Sequence, residues 1–207
     1  MQFLIDNNPR VVAECMEIYP NLVRGQLRTP GGKQAFCEGV FAIDNGGFTR
    51  PMIPEFCLLI ERSRDEIEKC LFIAVPDVIG DARRTLEVFV RLQQNYGGWP
   101  IALVAQDGIE NLDVPWELCD AVFIGGTDAW KDTNAAAAVA RAAKCLGKHV
   151  HVGRVNEVKR YMHFAKLGAD TCDGSGVSRF PREKLAIIAN RLHLREDTPL
   201  LDLQGEN

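Results

Sequence analysis

The absences narrow the field first. No apolar run approaches the ~18 residues that a membrane-spanning helix needs, Ile101–Ala105 and Ala135–Ala140 being typical of what is present. Met1-Gln2-Phe3 opens straight into a strand-like segment with no signal-peptide pattern, so the cytoplasm is the expected location. There is no surplus of positive charge: 24 Lys+Arg stand against 28 Asp+Glu, a net −4 with a pI near 5.6. Bulk charge therefore does not favour adhesion to nucleic acid or anionic lipid, and a polyanion must be met locally. Seven cysteines, an odd number, include no Cys-x-x-Cys or Cys-x-Cys pair, which favours reduced thiols over disulfides or a thiolate metal site. The four histidines (His149, His151, His163, His193) lack metal-site spacing with any acidic pair, so no metal and no cofactor is expected. Neither G-x-G-x-x-G nor a Walker pattern occurs, and no Ser-His-Asp or Cys-His signature stands out.

What is present is a repeat of short apolar runs and longer helical patterns. Leu71–Val75, Ile101–Ala105, Ala121–Ile124, His149–Val152 and Asp170–Cys172 read as strands, joined upstream by Phe3–Ile5, Val40–Ile43 and the less regular Leu22–Leu27. Between them, Leu86, Phe89 and Val90 follow helical spacing behind Asp81. Val158, Met162 and Ala165 do so behind Asn156 as a candidate cap, and Leu185, Ile188, Ala189 and Leu192 behind Pro181. Asn134–Leu146 is alanine-rich and helix-forming. Strand then helix, repeated, predicts a parallel sheet covered by helices. Eight strands predict an α/β fold, a compact (β/α)8 TIM-type barrel over 1–194 with a loosely held tail at 195–207. Such barrels typically take about 250 residues, with a floor near 200. An open doubly wound sheet is the alternative.

Polar residues cluster at the carboxyl ends of these strands, and in a parallel barrel those ends share one rim, where barrel active sites lie. Ile43 runs into Asp44-Asn45-Gly46-Gly47-Phe48, Val75 into Pro76-Asp77, and Ala105 into Gln106-Asp107-Gly108. Ile124 runs into Gly125-Gly126-Thr127-Asp128, Val152 into Gly153-Arg154, and Cys172 into Asp173-Gly174-Ser175-Gly176. Each cluster alone also reads as a turn or cap: Asp77 and Asp81 as N-caps, Gly125-Gly126-Thr127 as a strand-to-helix turn or a phosphate cradle. Of the histidines, His151 is the one expected to approach the pocket. Together the clusters give a pocket of carboxylates, an amide and exposed backbone, which suits substitution at an acetal carbon: one carboxylate attacks while another manages the leaving group's proton. A Mg²⁺ site is the other use of such acids.

Those same loops resemble the tRNA-guanine transglycosylase superfamily of (β/α)8 barrels. Asp44-Asn45-Gly46-Gly47-Phe48 is similar to the family's Asp-Ser-Gly-Gly-Phe motif. The segment VHVGRVNEVKRYMHFAKLGADTCDGSGVS, Val150–Ser178, resembles its Gly-Val-Gly segment, following helix and Gly-x-Asp-x-x-Asp strand. The resemblance covers about residues 40–180. It implies Asp173 as nucleophile and Asp44 as general acid/base. It further implies Asp77 and Gln106 on the base edge, and Gly125, Gly126, Gly47, Phe48 and Gly153 around the base. Asn45 departs from the expected Ser, and no Cys-x-Cys-x-x-Cys plus His zinc motif occurs in the sequence. On that ground the nearer likeness is to the short phage and bacterial enzymes that exchange guanine in DNA for a 7-deazaguanine such as 7-cyano-7-deazaguanine. DNA is thus favoured over tRNA as the partner, in a host cytoplasm if the gene is phage-encoded. Arg50, Arg154 and Arg179, each just past a strand end, are the candidate phosphate contacts. The likeness also allows a homodimer or a non-catalytic nucleic-acid-binding relative, since family members pair. An unrelated barrel using Gly125-Gly126-Thr127 for a phosphorylated metabolite is the outside rival.

Overall fold

The computed structural model describes residues 1–30, 35–47 and 53–196. Eight strands form a closed, all-parallel barrel in chain order: β1 (Gln2–Ile5), β2 (Val23–Arg28), β3 (Phe41–Ile43), β4 (Cys70–Ala74), β5 (Ile101–Ala105), β6 (Ala121–Ile124), β7 (His149–Val152) and β8 (Thr171–Cys172). The ring closes where Gln2 and Phe3 of β1 pair with Thr171 and Cys172 of β8. This is a TIM-type α/β barrel, and the open sheet is excluded.

The helices are α1 (Pro9–Ile18), α2 (Ile53–Arg62), α3 (Ala82–Leu92), α4 (Asp128–Lys131), α5 (Asn134–Cys145), α6 (Val158–Lys166), α7 (Ser175–Arg179) and α8 (Pro181–Glu196). Between β5 and β6 only two short 3-10 turns appear, and no α-helix lies among the described residues between β2 and β3. Economies of this kind let a short chain close a barrel. None of the described helices is long and apolar enough to cross a membrane. From residue 197 the expected tail lies outside the described residues.

Strand parity sorts the side chains into two shells. Pointing inward are Leu4, Ala42, Phe72, Ala74, Ala102, Val104, Ala121 and Phe123, where four alanines leave room for two phenylalanines that meet edge to face at 6.2 Å. His149 and His151 continue this interior, their rings 5.6 and 5.0 Å from Phe72. Pointing outward, Phe3, Ile5, Val122, Ile124, Val150 and Val152 meet Val12, Phe89, Ala140, Phe164 and Leu185 of the helical layer. A third cluster joins Phe41, Ile43 and Ile73 to Phe56, Leu59 and Ile60 of α2.

Helix faces differ in detail from the periodicity. On α3 the buried positions are Ala82, Thr85 and Phe89, while Val90 is exposed; Thr85 can be buried because its Oγ1 bonds the preceding loop at Val78 N and O. On α6 the buried pair is Tyr161 and Phe164, with Val158, Met162 and Ala165 at the margins. Asn156 is not its cap: its Oδ1 accepts from Gly176 N at 2.8 Å, tying the loop after β7 to α7. Asp81, by contrast, caps α3 through Arg84 N.

Because Phe72 is fully buried and fills the barrel between both histidines, Phe72→Ala should cost about 3–5 kcal/mol of unfolding free energy. Denaturant titration reads this directly, and a loss below about 1 kcal/mol would mean that the interior collapses around the missing ring.

Candidate active site

The parity that fills the barrel also builds its rim. Counting two residues on from an inward-facing position gives Asp6 after Leu4, Asp44 after Ala42 and Gln106 after Val104. It gives Gly125 after Phe123, Gly153 after His151 and Asp173 after Thr171. Asp44, Asp77, Gln106, Gly125, Gly153, Arg154, Asp173 and Arg179 line a single cavity of about 400 Å³, with Asn45, Ile79, Val104, Phe123 and Ser175. Its wall is therefore apolar at Ile79, Val104 and Phe123 and polar around the carboxylates, a division suited to a planar polar ring.

Asp173 is held at both oxygens. Arg154 N donates to Oδ1 at 3.2 Å, and His151 Nε2 faces Oδ2 at 3.1 Å. Arg154 takes up a left-handed backbone with φ of 58° to present that amide, a conformation that costs a non-glycine residue of order 1 kcal/mol. Its guanidinium donates to the carbonyls of Gly125 and Gly126, at 3.1 and 2.5 Å, locking the loops after β6 and β7 together. Beneath them the fully buried Lys131 donates from Nζ to Gly153 O at 2.8 Å, and burial holds its ammonium down at about 8. Gly153 has no room for a side chain, since a Cβ there would strike the Phe123 ring at 2.6 Å.

Asp44 has fewer partners. Burial first, and then the negative charge of Asp173, push its carboxyl up to about 7, against a weak pull from Gly46 N. Asp77 is pinned between two amides: Asn45 Nδ2 donates to Oδ1 at 2.8 Å and Gln106 Nε2 to Oδ2 at 2.6 Å. Burial raises this carboxyl while the two donors pull it back. Gln106 is itself oriented by Gly80 N, which donates to its Oε1 at 2.9 Å.

The expected residues divide as follows. Gly126 and Gly47 stand beside the cavity and not in its wall, while Phe48 and Arg50 lie outside the described residues. The loop Gly125-Gly126-Thr127 is no phosphate cradle: Asp107 accepts from both Thr127 N and Thr127 Oγ1 at 2.6 Å, placing a carboxylate where the phosphate would sit. Asp6 escaped the sequence reading, although the same strand-end rule points to it. Burial pushes its carboxyl up, Thr29 Oγ1 at 3.0 Å partly offsets this, and the Asp173 charge adds to the rise. Lys131 and the Asn45 bridge to Asp77 were also missed. Among the described residues no group of three His, Cys, Asp or Glu is placed to hold a metal ion.

No family model and no curated protein matches the chain. Among the solved structures that do match is "PaMucR Phosphodiesterase, c-di-GMP complex", 13% identical over 81% of this chain and 73% of that chain, with a TM-score of 0.37. So distant a likeness carries nothing about chemistry, and the barrel rests on its own strand pairing.

Asp44 fixes the sign of a pH effect on stability. Between the ordinary carboxylate range and about 7 the folded chain keeps a proton that the unfolded chain has lost, so rising pH through that window destabilises the fold. Asp44→Asn should therefore be about 2–4 kcal/mol more stable than the parent at about pH 8 and nearly equal to it at about pH 4. Urea unfolding at the two pH values checks this, and an equal gain at both would overturn the burial account.

Proposed function

We propose that this chain is a base-exchange transglycosylase that replaces guanine in DNA with a 7-deazaguanine such as 7-cyano-7-deazaguanine. One observation carries the reading: two carboxyls, Asp44 and Asp173, line one cavity in unlike surroundings. Asp173 accepts from the Arg154 amide and lies against His151 Nε2, contacts that orient a carboxylate for attack. Asp44, at about 7, is suited to give and take a proton near neutral pH.

In the first half-reaction a carboxylate oxygen of Asp173 bonds to the anomeric carbon as the bond from that carbon to guanine breaks, and Asp44 hands its proton to the departing base. The sugar stays on Asp173 as an ester. The incoming base then loses its ring N–H proton to Asp44 and attacks the same carbon. Asp173 is released, and two inversions give retention. Asp77 and Gln106, cross-linked to each other, offer their remaining lone pairs and N–H to the edge of the base. Ile79, Val104 and Phe123 would flank its faces. The base reaches this depth only if the nucleotide is flipped out or single-stranded. Arg179, exposed at the cavity mouth, is the candidate phosphate contact, whereas Arg154 is already engaged with Gly125 and Gly126.

The test is to incubate the protein with DNA, and separately with tRNA, plus labelled 7-cyano-7-deazaguanine, and to isolate any denaturation-resistant adduct. Label in DNA is the expected result; label in tRNA alone would move the substrate to the other polymer. Asp173→Asn should abolish the adduct while base binding persists, because an amide keeps the shape without the nucleophilicity. Asp44→Asn should slow exchange by about 10²–10⁴-fold. Asp77→Asn should chiefly weaken base discrimination, by about 1–3 kcal/mol. An adduct formed by Asp173→Asn would remove Asp173 as the nucleophile and leave Asp44 to be tried.

A further inference from the structure

Three interior side chains of β7 and β8 connect the cavity to the opposite end of the barrel. His151, fully buried, faces Asp173 Oδ2 through Nε2, and its Nδ1 lies 2.9 Å from Thr171 Oγ1. The same hydroxyl oxygen lies 2.8 Å from His149 Nε2. His149 borders a hollow of about 540 Å³ at the amino-terminal ends of the strands, with Gln2, Arg24 and Asp170. The register pairs His151 with Thr171, so the contacts follow from strand pairing and not from a loop.

We propose that His149, Thr171 and His151 form one directional hydrogen-bond relay whose function is to fix which ring nitrogen of His151 carries the proton, and so to hold Asp173 as an oriented anion. The direction follows from a count of donors and acceptors. A carboxylate accepts only, so His151 Nε2 must carry the hydrogen that points at Asp173. With one proton on the ring, Nδ1 is then a lone pair, which the Thr171 hydroxyl must supply with its single hydrogen. Thr171 Oγ1 in turn accepts, and its remaining neighbour, His149 Nε2, must be the donor. Burial pushes His149 down to about 4, which favours the neutral ring, and the contact with Thr171 Oγ1 then asks for its one proton on Nε2. The reverse direction would put a hydrogen on His151 Nδ1 and turn an Nε2 lone pair towards Asp173, repelling the carboxylate. The three are positioning residues: none needs to touch substrate, and the far end of the relay lies across the barrel from the cavity.

The tautomer part of this inference stands by itself, whereas its effect on rate rests on the transglycosylase reading. Nitrogen-15 NMR of histidine-labelled protein should find both His149 and His151 protonated at Nε2 and not at Nδ1. A His151 proton on Nδ1 overturns the relay whatever the protein's activity. For the second part, adduct formation is timed with a guanine-containing single-stranded DNA oligonucleotide. Thr171→Val, nearly equal in shape but without the hydroxyl, should slow it about ten- to a hundredfold, with the oligonucleotide concentration at half-maximal rate little changed. Thr171→Ser should restore most of the rate. His149→Leu covers the case in which the valine variant fails to fold, and should also slow adduct formation from the opposite end of the barrel. A valine variant as fast as the parent, a serine variant as slow as valine, or a folded leucine variant at the parent rate each overturns the positioning role. No adduct from the parent protein refutes the transglycosylase reading, and the NMR result still decides the relay.

Discussion

The pairing of β1 with β8 is the constraint on which the site depends. In an open sheet of this strand order β3 and β8 would lie five steps apart, and Asp44 and Asp173 would never share a cavity. Closure places them three steps apart through β1 and β2. Two residue pairs accomplish it, Gln2 with Thr171 and Phe3 with Cys172, and the second strand of that seam is only two residues long. A short β8 suffices because it is held on both sides: His151 and Val152 of β7 pair with the same two residues, and Cys172 is completely buried. Parity then does the rest. With Thr171 inward and Cys172 outward, Asp173 must turn inward, directly above Thr171 and beside His151.

Bringing Asp6, Asp44, Asp77 and Asp173 to one rim concentrates negative charge in a half-dry space, which opposes folding. The chain moderates this by giving each carboxyl different company. Asp173 gets an amide and an imidazole, Asp77 gets two side-chain amides, Asp6 gets the Thr29 hydroxyl, and Asp44 gets little beyond Gly46 N. The least compensated carboxyl is the one driven to about 7. Unequal surroundings of chemically identical groups thus set Asp44 apart from its neighbours on the rim.

Much of this was legible in the sequence, and the exceptions have physical causes. Strand existence followed from apolar runs, and the rim residues from what came directly after them, because a parallel barrel sends every strand end to the same side. The weakest strand, β2, was obscured because two of its buried positions are polar. Gln26 bridges Asn7, Ala35 and Cys37, while Arg28 is stacked between the rings of Phe36 and Phe41 and paired with Glu66 at 2.6 Å. Polar residues satisfied by distant partners break periodicity without breaking the strand. Lys131 could not have been read at all, since a lysine at the end of a short helix looks like solvated charge until the loop carbonyl of Gly153 is found beside it. Asn156 failed as a cap for the opposite reason: its side chain finds a partner in α7, which no local pattern encodes.

The loop after β6 illustrates why position on the rim is a better guide than motif. Gly125-Gly126-Thr127 has the composition of a phosphate loop, yet Asp107 from the neighbouring strand end fills it with a carboxylate. That leaves Thr127 free only to cap α4, whose last residue, Lys131, props the loop after β7 from below. The propped loop carries Gly153, which must be small to pass Phe123, and Arg154, whose strained backbone delivers an N–H to Asp173. A glycine-rich turn already filled by a carboxylate thus still serves the site, because it anchors the support that orients Asp173 two strands further along the chain, at the end of β8.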